Sequence, residues 1–112
     1  MASEPKEYLQ IIEGSGNVFA DLGLPEPGER QTKTRLAMQV NAVLKERRLK
    51  QIDAAAILRV PQSKVSALVN YRLDHFSVEK LMSLLNLLHC DVEIVIRPSR
   101  DEVGHTTVFA LS

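Results

Sequence analysis

The sequence predicts a mainly α-helical fold, a bundle of about five helices followed by a short C-terminal β-strand or hairpin. Three observations predict it. Apolar residues recur at helical spacing from Leu36 to Leu88, Pro61 is the only Gly or Pro between residues 30 and 90, and a β-branched texture begins only after Cys90. At 112 residues and 45% apolar composition, the chain suits one domain with a modest core. It divides into an arm or linker over 1–29, a helical domain over 30–90 and a C-terminal element over 91–112.

The arm carries Gly14, Gly16, Gly23, Pro25, Pro27 and Gly28, a density of breakers that forbids a long regular element. Two apolar clusters lie within it: Tyr8, Leu9, Ile11 and Ile12, then Val18, Phe19, Leu22 and Leu24, the second compatible with a short helical turn. They either fold back on the core or dock on a partner. A long helix is expected over 30–48, where Leu36, Ala37, Val40, Val43 and Leu44 share one face. Two short helices follow, over 51–58 and 62–70. The second is expected to turn Val65, Leu68 and Val69 inward. Their junction at Arg59-Val60-Pro61 is so short that they must cross steeply, which calls for small side chains such as Ala54 and Ala55 at the contact. Pro61 suits a helix start, where its missing N–H costs nothing. A further helix runs from Ser77, a good N-cap, to Leu88, burying Val78, Leu81, Met82, Leu84, Leu85 and Leu88. Residues 91–97 alternate as a strand that Pro98 ends, and 106–111 could pair with them as a loose hairpin.

A net charge of zero conceals a partition. Residues 30–72 hold ten bases against Glu46 and Asp53, a net +8, between an acidic head of −5 over 1–29 and an acidic tail of −3 over 73–112. Such segregation is the electrostatic footprint of a nucleic-acid binder. A single cysteine, Cys90, forbids an internal disulfide and points to a reducing compartment, with Cys90 a buried structural thiol. No apolar stretch approaches the ~20 residues of a membrane span and the N-terminus lacks a signal peptide's pattern, so the expectation is a cytoplasmic protein. His75, His89 and His105 are scattered, and Cys90 beside His89 lacks paired ligands, so no metal or other cofactor is expected. Asp74 beside His75 has no nucleophile or second acid nearby in sequence, and no enzyme is expected.

The stretch LKQIDAAAILRVPQSKVSALVN over 49–70 resembles the helix-turn-helix of the Xre family, to which the Cro and CI repressors of lambdoid phages belong. Gln51 opens the second helix, Ala55 stands at the crossing, Leu58 and Val60 close the turn, and Val65 and Leu68 anchor the third helix. Arg59 stands where the family often has Gly, and Pro61 where it often has Ser or Thr. The resemblance implies a lambda-repressor-like bundle. A closer likeness covers SGNVFADLGL over 15–24, KVSAL over 64–68, FSVEKL over 76–81 and DVEIVIRP over 91–98. It is to small Xre-type antitoxins, HigA-like, encoded beside RelE/HigB-like toxins. That likeness implies a homodimer, operator binding, autorepression and a toxin partner; for members with no toxin it implies a stand-alone transcriptional regulator. An adaptor that kept the fold and lost its operator is a further possibility, disfavoured by the basic centre.

A recognition helix lies in the major groove with its N-terminal residues at the base edges. Gln62 and Ser63 are best placed there, Gln because it can bond adenine bidentately, and Lys64 and Ser66 complete the expected base-contacting set. Gln51 resembles the family's phosphate-clamping glutamine at a helix N-terminus, and Lys50, Asn70, Tyr71 and Arg72 are expected on neighbouring phosphates of an inverted-repeat, double-stranded operator. Val92, Ile94 and Ile96 are the expected dimerisation residues. An isolated strand is marginal in water and can pair across a two-fold axis, although the same alternation would also cover the fourth helix within one subunit.

Overall fold

The structure, a computed structural model, describes residues 27–111. Its helices are α1 (Pro27–Glu46), α2 (Gln51–Leu58), α3 (Gln62–Val69) and α4 (Val78–Leu87). The described residues thus hold four helices rather than about five, and the helical turn expected within 18–24 lies outside them. Residues 33–92 form one compact unit, and the described residues 27–32 and 93–111 lie outside it.

α1 begins three residues before the expected start, at Pro27. Proline and glycine break helix interiors, but the first turn has no use for the N–H that proline lacks, so breakers there need not end an arm. Thr32, which is buried, donates its hydroxyl to the Gly28 carbonyl at 2.8 Å within that helix.

The core of the 33–92 unit follows the sequence periodicity closely. Leu36, Ala37, Val40 and Leu44 are buried along α1, Ala54 and Leu58 on α2, Val65 and Leu68 on α3, and Leu81, Leu84, Leu85 and Leu88 along α4 and its cap. Leu73 and Phe76, from the α3–α4 loop, complete it. Burying each such leucine contributes roughly 1.5–3 kcal/mol. Val43, Val78 and Met82 are half-buried at the margins of their faces. Val69 departs from expectation, being 40% exposed: at the last residue of α3, the apolar stripe has rotated off the core. α2 packs on α3 and on α4, with Ala54 buried at the contact while Ala55 is half-buried.

All four helices of the described residues end the same way. Arg48, Arg59, Tyr71 and His89 each take a left-handed conformation, with φ between 54° and 66°. The next residue's N–H then closes a long turn onto the carbonyl five back: Leu49 onto Leu44 at 3.0 Å, Val60 onto Ala55 at 3.1 Å, Arg72 onto Ala67 at 2.8 Å and Cys90 onto Leu85 at 3.0 Å. These bonds satisfy carbonyls that a helix end leaves orphaned, and glycine is the usual residue at such a position. None of the four is glycine here. α4 starts on Ser77, whose hydroxyl accepts from the Lys80 N–H at 2.9 Å, as its sequence position predicts. Beyond α1, Arg47 Nη2 donates to the Leu88 carbonyl at 2.6 Å, placing a cation at the C-terminal end of α4, where the helix dipole favours it. Cys90 is a free, half-buried thiol rather than a fully buried one.

The C-terminal expectation is corrected. Residues 91–97 and 106–111 form neither strand nor hairpin, and no strand occurs among the described residues. β-branched alternation suits an extended backbone, but a ladder needs a second edge to exchange hydrogen bonds with, and two short extended segments alone seldom hold one in water. Ile94 and Ile96 are left 72% and 90% exposed, whereas Val92 is half-buried. Local polar contacts organise the connecting loop: the Asp101 N–H donates to Ser99 Oγ at 3.0 Å, and His105 Nε2 lies 3.1 Å from Asp101 Oδ2.

Candidate nucleic-acid interface

The predicted recognition segment coincides with α3. Its N-cap is Pro61, with φ −62° and ψ 153°, so no side-chain cap is present and the first turn is held by the Pro61 carbonyl, which accepts from the Lys64 and Val65 N–H groups at 2.9 and 3.3 Å. Gln62 and Ser63, in that first turn, are exposed. Both are short polar groups on a rigid element whose inner face is pinned by Val65 and Leu68, the geometry that base reading requires.

The other two predicted base contacts are less free. Lys64 donates from Nζ to the His75 carbonyl at 3.2 Å, and its ammonium lies 4.9 Å from the centroid of the buried Phe76 ring. It is engaged in holding the α3–α4 loop against α3. Ser66 is half-buried, and its carbonyl accepts from Asn70 Nδ2 at 2.8 Å and from the Asn70 N–H at 3.1 Å. Asn70 therefore folds back to finish α3, leaving one hydrogen of its amide for another acceptor. Tyr71 and Arg72 are exposed just beyond.

At the start of α2, Lys50 is the N-cap, with no side-chain cap bond, and Gln51 is the first helical residue. A cation at a helix N-terminus opposes the dipole, so the site sacrifices helix stability for positive charge at a helix start, where N–H groups have no partner within the helix. That combination suits an anion. Leu58, Val65 and Leu68 are buried as the motif demands, while Val60 in the turn is half-buried.

Sequence reasoning overlooked three groups. Asn41 occupies α1 between the buried Val40 and Leu44; its Nδ2 donates to the Leu68 carbonyl at 3.1 Å, tying α1 to the end of α3. Its signal was a polar residue inside an apolar stripe. Phe76 and Arg47 gave weaker signals, an aromatic in a loop and one cation among several. Among the described residues, no three His, Cys, Asp or Glu side chains come together as a metal site, and no helix is long and apolar enough to cross a membrane.

The family described as "Helix-turn-helix domain" matches residues 18–97. A solved structure named "Putative XRE Family Transcriptional Regulator" is 51% identical, with a TM-score of 0.69, over 79% of this chain and 99% of that one. The chain belongs to the Xre-type helix-turn-helix family. No curated protein matches it. Within the Xre-type frame, α2 and α3 are the two helices of the motif, joined by Arg59, Val60 and Pro61. The left-handed Arg59 explains how this member manages the turn without the family's frequent glycine: an arginine accepts that conformation because the Val60 N–H bond to the Ala55 carbonyl secures it.

Proposed function

We propose that the protein is a sequence-specific, DNA-binding transcriptional regulator that represses its own promoter. The observation that carries this reading is the pair of exposed polar side chains, Gln62 and Ser63, on the first turn of α3, flanked by the cationic α2 start at Lys50 and by Arg72 beyond α3. In this reading α3 enters the major groove, Gln62 and Ser63 meet base edges, and Lys50, Gln51, Asn70, Tyr71 and Arg72 meet phosphates. The role is binding rather than catalysis.

The protein acts as a homodimer on an inverted repeat with half-site centres about one helical turn, ~34 Å, apart. The exposed Ile94 and Ile96 are the surface we assign to self-association, since apolar groups so open to water gain most from a second copy. The likeness of 15–24, 64–68 and 76–81 to HigA-like proteins supports the narrower role of an autorepressing antitoxin whose partner is a RelE/HigB-like toxin. The broader reading is a stand-alone regulator.

Footprinting on the DNA upstream of the gene tests the proposal. Two protected half-sites one turn apart are the expected result, and protection of a single unrepeated site by a monomer would overturn it. Co-purification of the product of an adjoining gene with the tagged protein separates antitoxin from stand-alone regulator. An unaccompanied regulator removes the narrower role and leaves the broader one.

A further inference from the structure

The outer face of α2 is apolar. By helical period, Ile52, Asp53, Ala56 and Ile57 share the arc opposite the buried Ala54 and Leu58, and all four are exposed. Ile52 is 64% and Ile57 37% open to water, on the side where a solvated helix normally carries charged and polar groups. Single exposed apolar side chains are ordinary, whereas a helix face built of them marks a contact surface. Asp53 is the one charge on this face, and Arg59 stands exposed just past the end of the helix. Among the described residues, neither side chain takes part in an ion pair.

These features make the face complementary to itself. Asp53 stands three residues before Ala56 and Arg59 three residues after it. A second α2 laid antiparallel, Ala56 against Ala56, therefore brings each Asp53 opposite the Arg59 of the other copy, twice over by the two-fold symmetry. Ala56 is the smallest side chain of the face, so the two helix axes can approach closely, with Ile52 and Ile57 closing over the contact. DNA does not suit this face, because Asp53 repels phosphate and the isoleucines offer it no donor. Two turns of helix cover on the order of a few hundred Å2, short of the ~1,000 Å2 that a stable interface buries. The contact is therefore too small to hold copies together in dilute solution and gains its effect where something else has already brought them close.

We propose that α2 carries a second, weak self-association surface, an antiparallel α2–α2 contact through Ile52, Ala56 and Ile57 with Asp53 paired to Arg59 of the other copy. It is distinct from the association assigned above to Ile94 and Ile96, and it joins one dimer to the next. Copies seated on neighbouring operators face each other at the high effective concentration that shared DNA imposes, so the contact makes adjacent sites fill cooperatively. This cooperativity rests on the DNA-binding function proposed above, whereas the α2–α2 contact itself does not.

The contact is tested first without DNA, by recording amide shifts of the 15N-labelled full chain from micromolar to millimolar concentration. Concentration-dependent shifts clustered at Ile52, Asp53, Ala56, Ile57 and Arg59 are expected. Asp53→Arg and Arg59→Asp should each abolish them by setting like charges face to face, and Ala56→Arg should do so by blocking the axis. The double reversal, Asp53→Arg with Arg59→Asp, should restore them, which also shows that the single variants did not lose the effect by misfolding. Absence of such shifts at millimolar concentration overturns the proposal, as does a double reversal no better than either single one. The DNA arm is separate. On DNA carrying two copies of the footprinted operator, with the spacing varied base pair by base pair over one helical turn, the second site should fill about ten-fold more tightly than an isolated site at the favoured spacing. That factor should fall to one in each single reversal and return in the double, whatever happens to affinity for a single site. Independent filling at every spacing, with the α2 shifts present, overturns the cooperativity alone.

Discussion

The ammonium of Lys64 lies 4.9 Å from the centroid of the Phe76 ring while bonding the neighbouring His75 carbonyl at 3.2 Å, so one side chain fixes the loop that leaves α3. Residue 64 is a supporting group in this geometry, and its replacement should show as lost stability before lost readout. Lys64→Met is expected to destabilise the fold by about 0.5–2 kcal/mol in urea unfolding, from a cation–π contact and a charge-assisted hydrogen bond. Relative affinities across a panel of single-base operator variants should stay as in the wild type. A relaxed preference at one base pair, with stability unchanged, would return Lys64 to the base-reading set.

Lys50 offers a sharper trade. Serine at that N-cap would supply the side-chain acceptor that α2 lacks and remove a charge opposing the dipole, so Lys50→Ser should stabilise the protein by about 1 kcal/mol. The same change should weaken binding to all DNA sequences alike and reduce the steepness of the salt dependence by about one unit. Thermal unfolding and salt titrations measure the two effects independently. Stability gained with no loss of affinity would remove Lys50 from the interface.

Gln62 and Arg72 should differ in kind. Gln62→Ala is expected to cost about 1–3 kcal/mol on the matched operator and little on DNA mismatched at the base pair it reads. Arg72→Ala should lower affinity uniformly and flatten the salt slope. Equal losses on every sequence for both variants would show that α3 is oriented differently in the groove.

Arg59→Gly tests the turn. Arginine in a left-handed conformation carries a steric cost that glycine does not, and the bond from the Val60 N–H to the Ala55 carbonyl needs only the backbone. The variant should gain up to about 1 kcal/mol in chemical denaturation. A loss of stability instead would mean that the Arg59 side chain makes a favourable contribution larger than its backbone strain.

The helices of the 33–92 unit were legible because burial follows a 3.6-residue period, and Leu81, Leu84, Leu85 and Leu88 declare it without ambiguity. The ends were less so. Pro27 reads as a breaker unless it is known to sit in a first turn, and Val69 reads as core unless the helix is known to stop there. The C-terminal error has a different origin: the alternation of Val92, Ile94 and Ile96 encodes a preference for extension, while a ladder depends on an edge elsewhere that local sequence does not specify. Of the site, the exposure of Gln62 and Ser63 followed from helical period alone. The engagement of Lys64 did not, because Phe76 is distant in sequence and only the loop's path brings the two together.

The connections between the helices carry a temporal consequence. Four residues join α1 to α2, three join α2 to α3 and eight join α3 to α4, so most native contacts form between neighbours along the chain. Little loop-closure entropy must be spent before such contacts are rewarded, and helical domains of this kind fold in about microseconds to milliseconds. Ribosomes add residues far more slowly, at about 5–20 per second. Stopped-flow refolding should therefore show the 33–92 core complete within milliseconds. Newly made protein would then be competent almost as soon as the chain is free, and the speed at which its regulation is restored would be set by synthesis and association, never by folding.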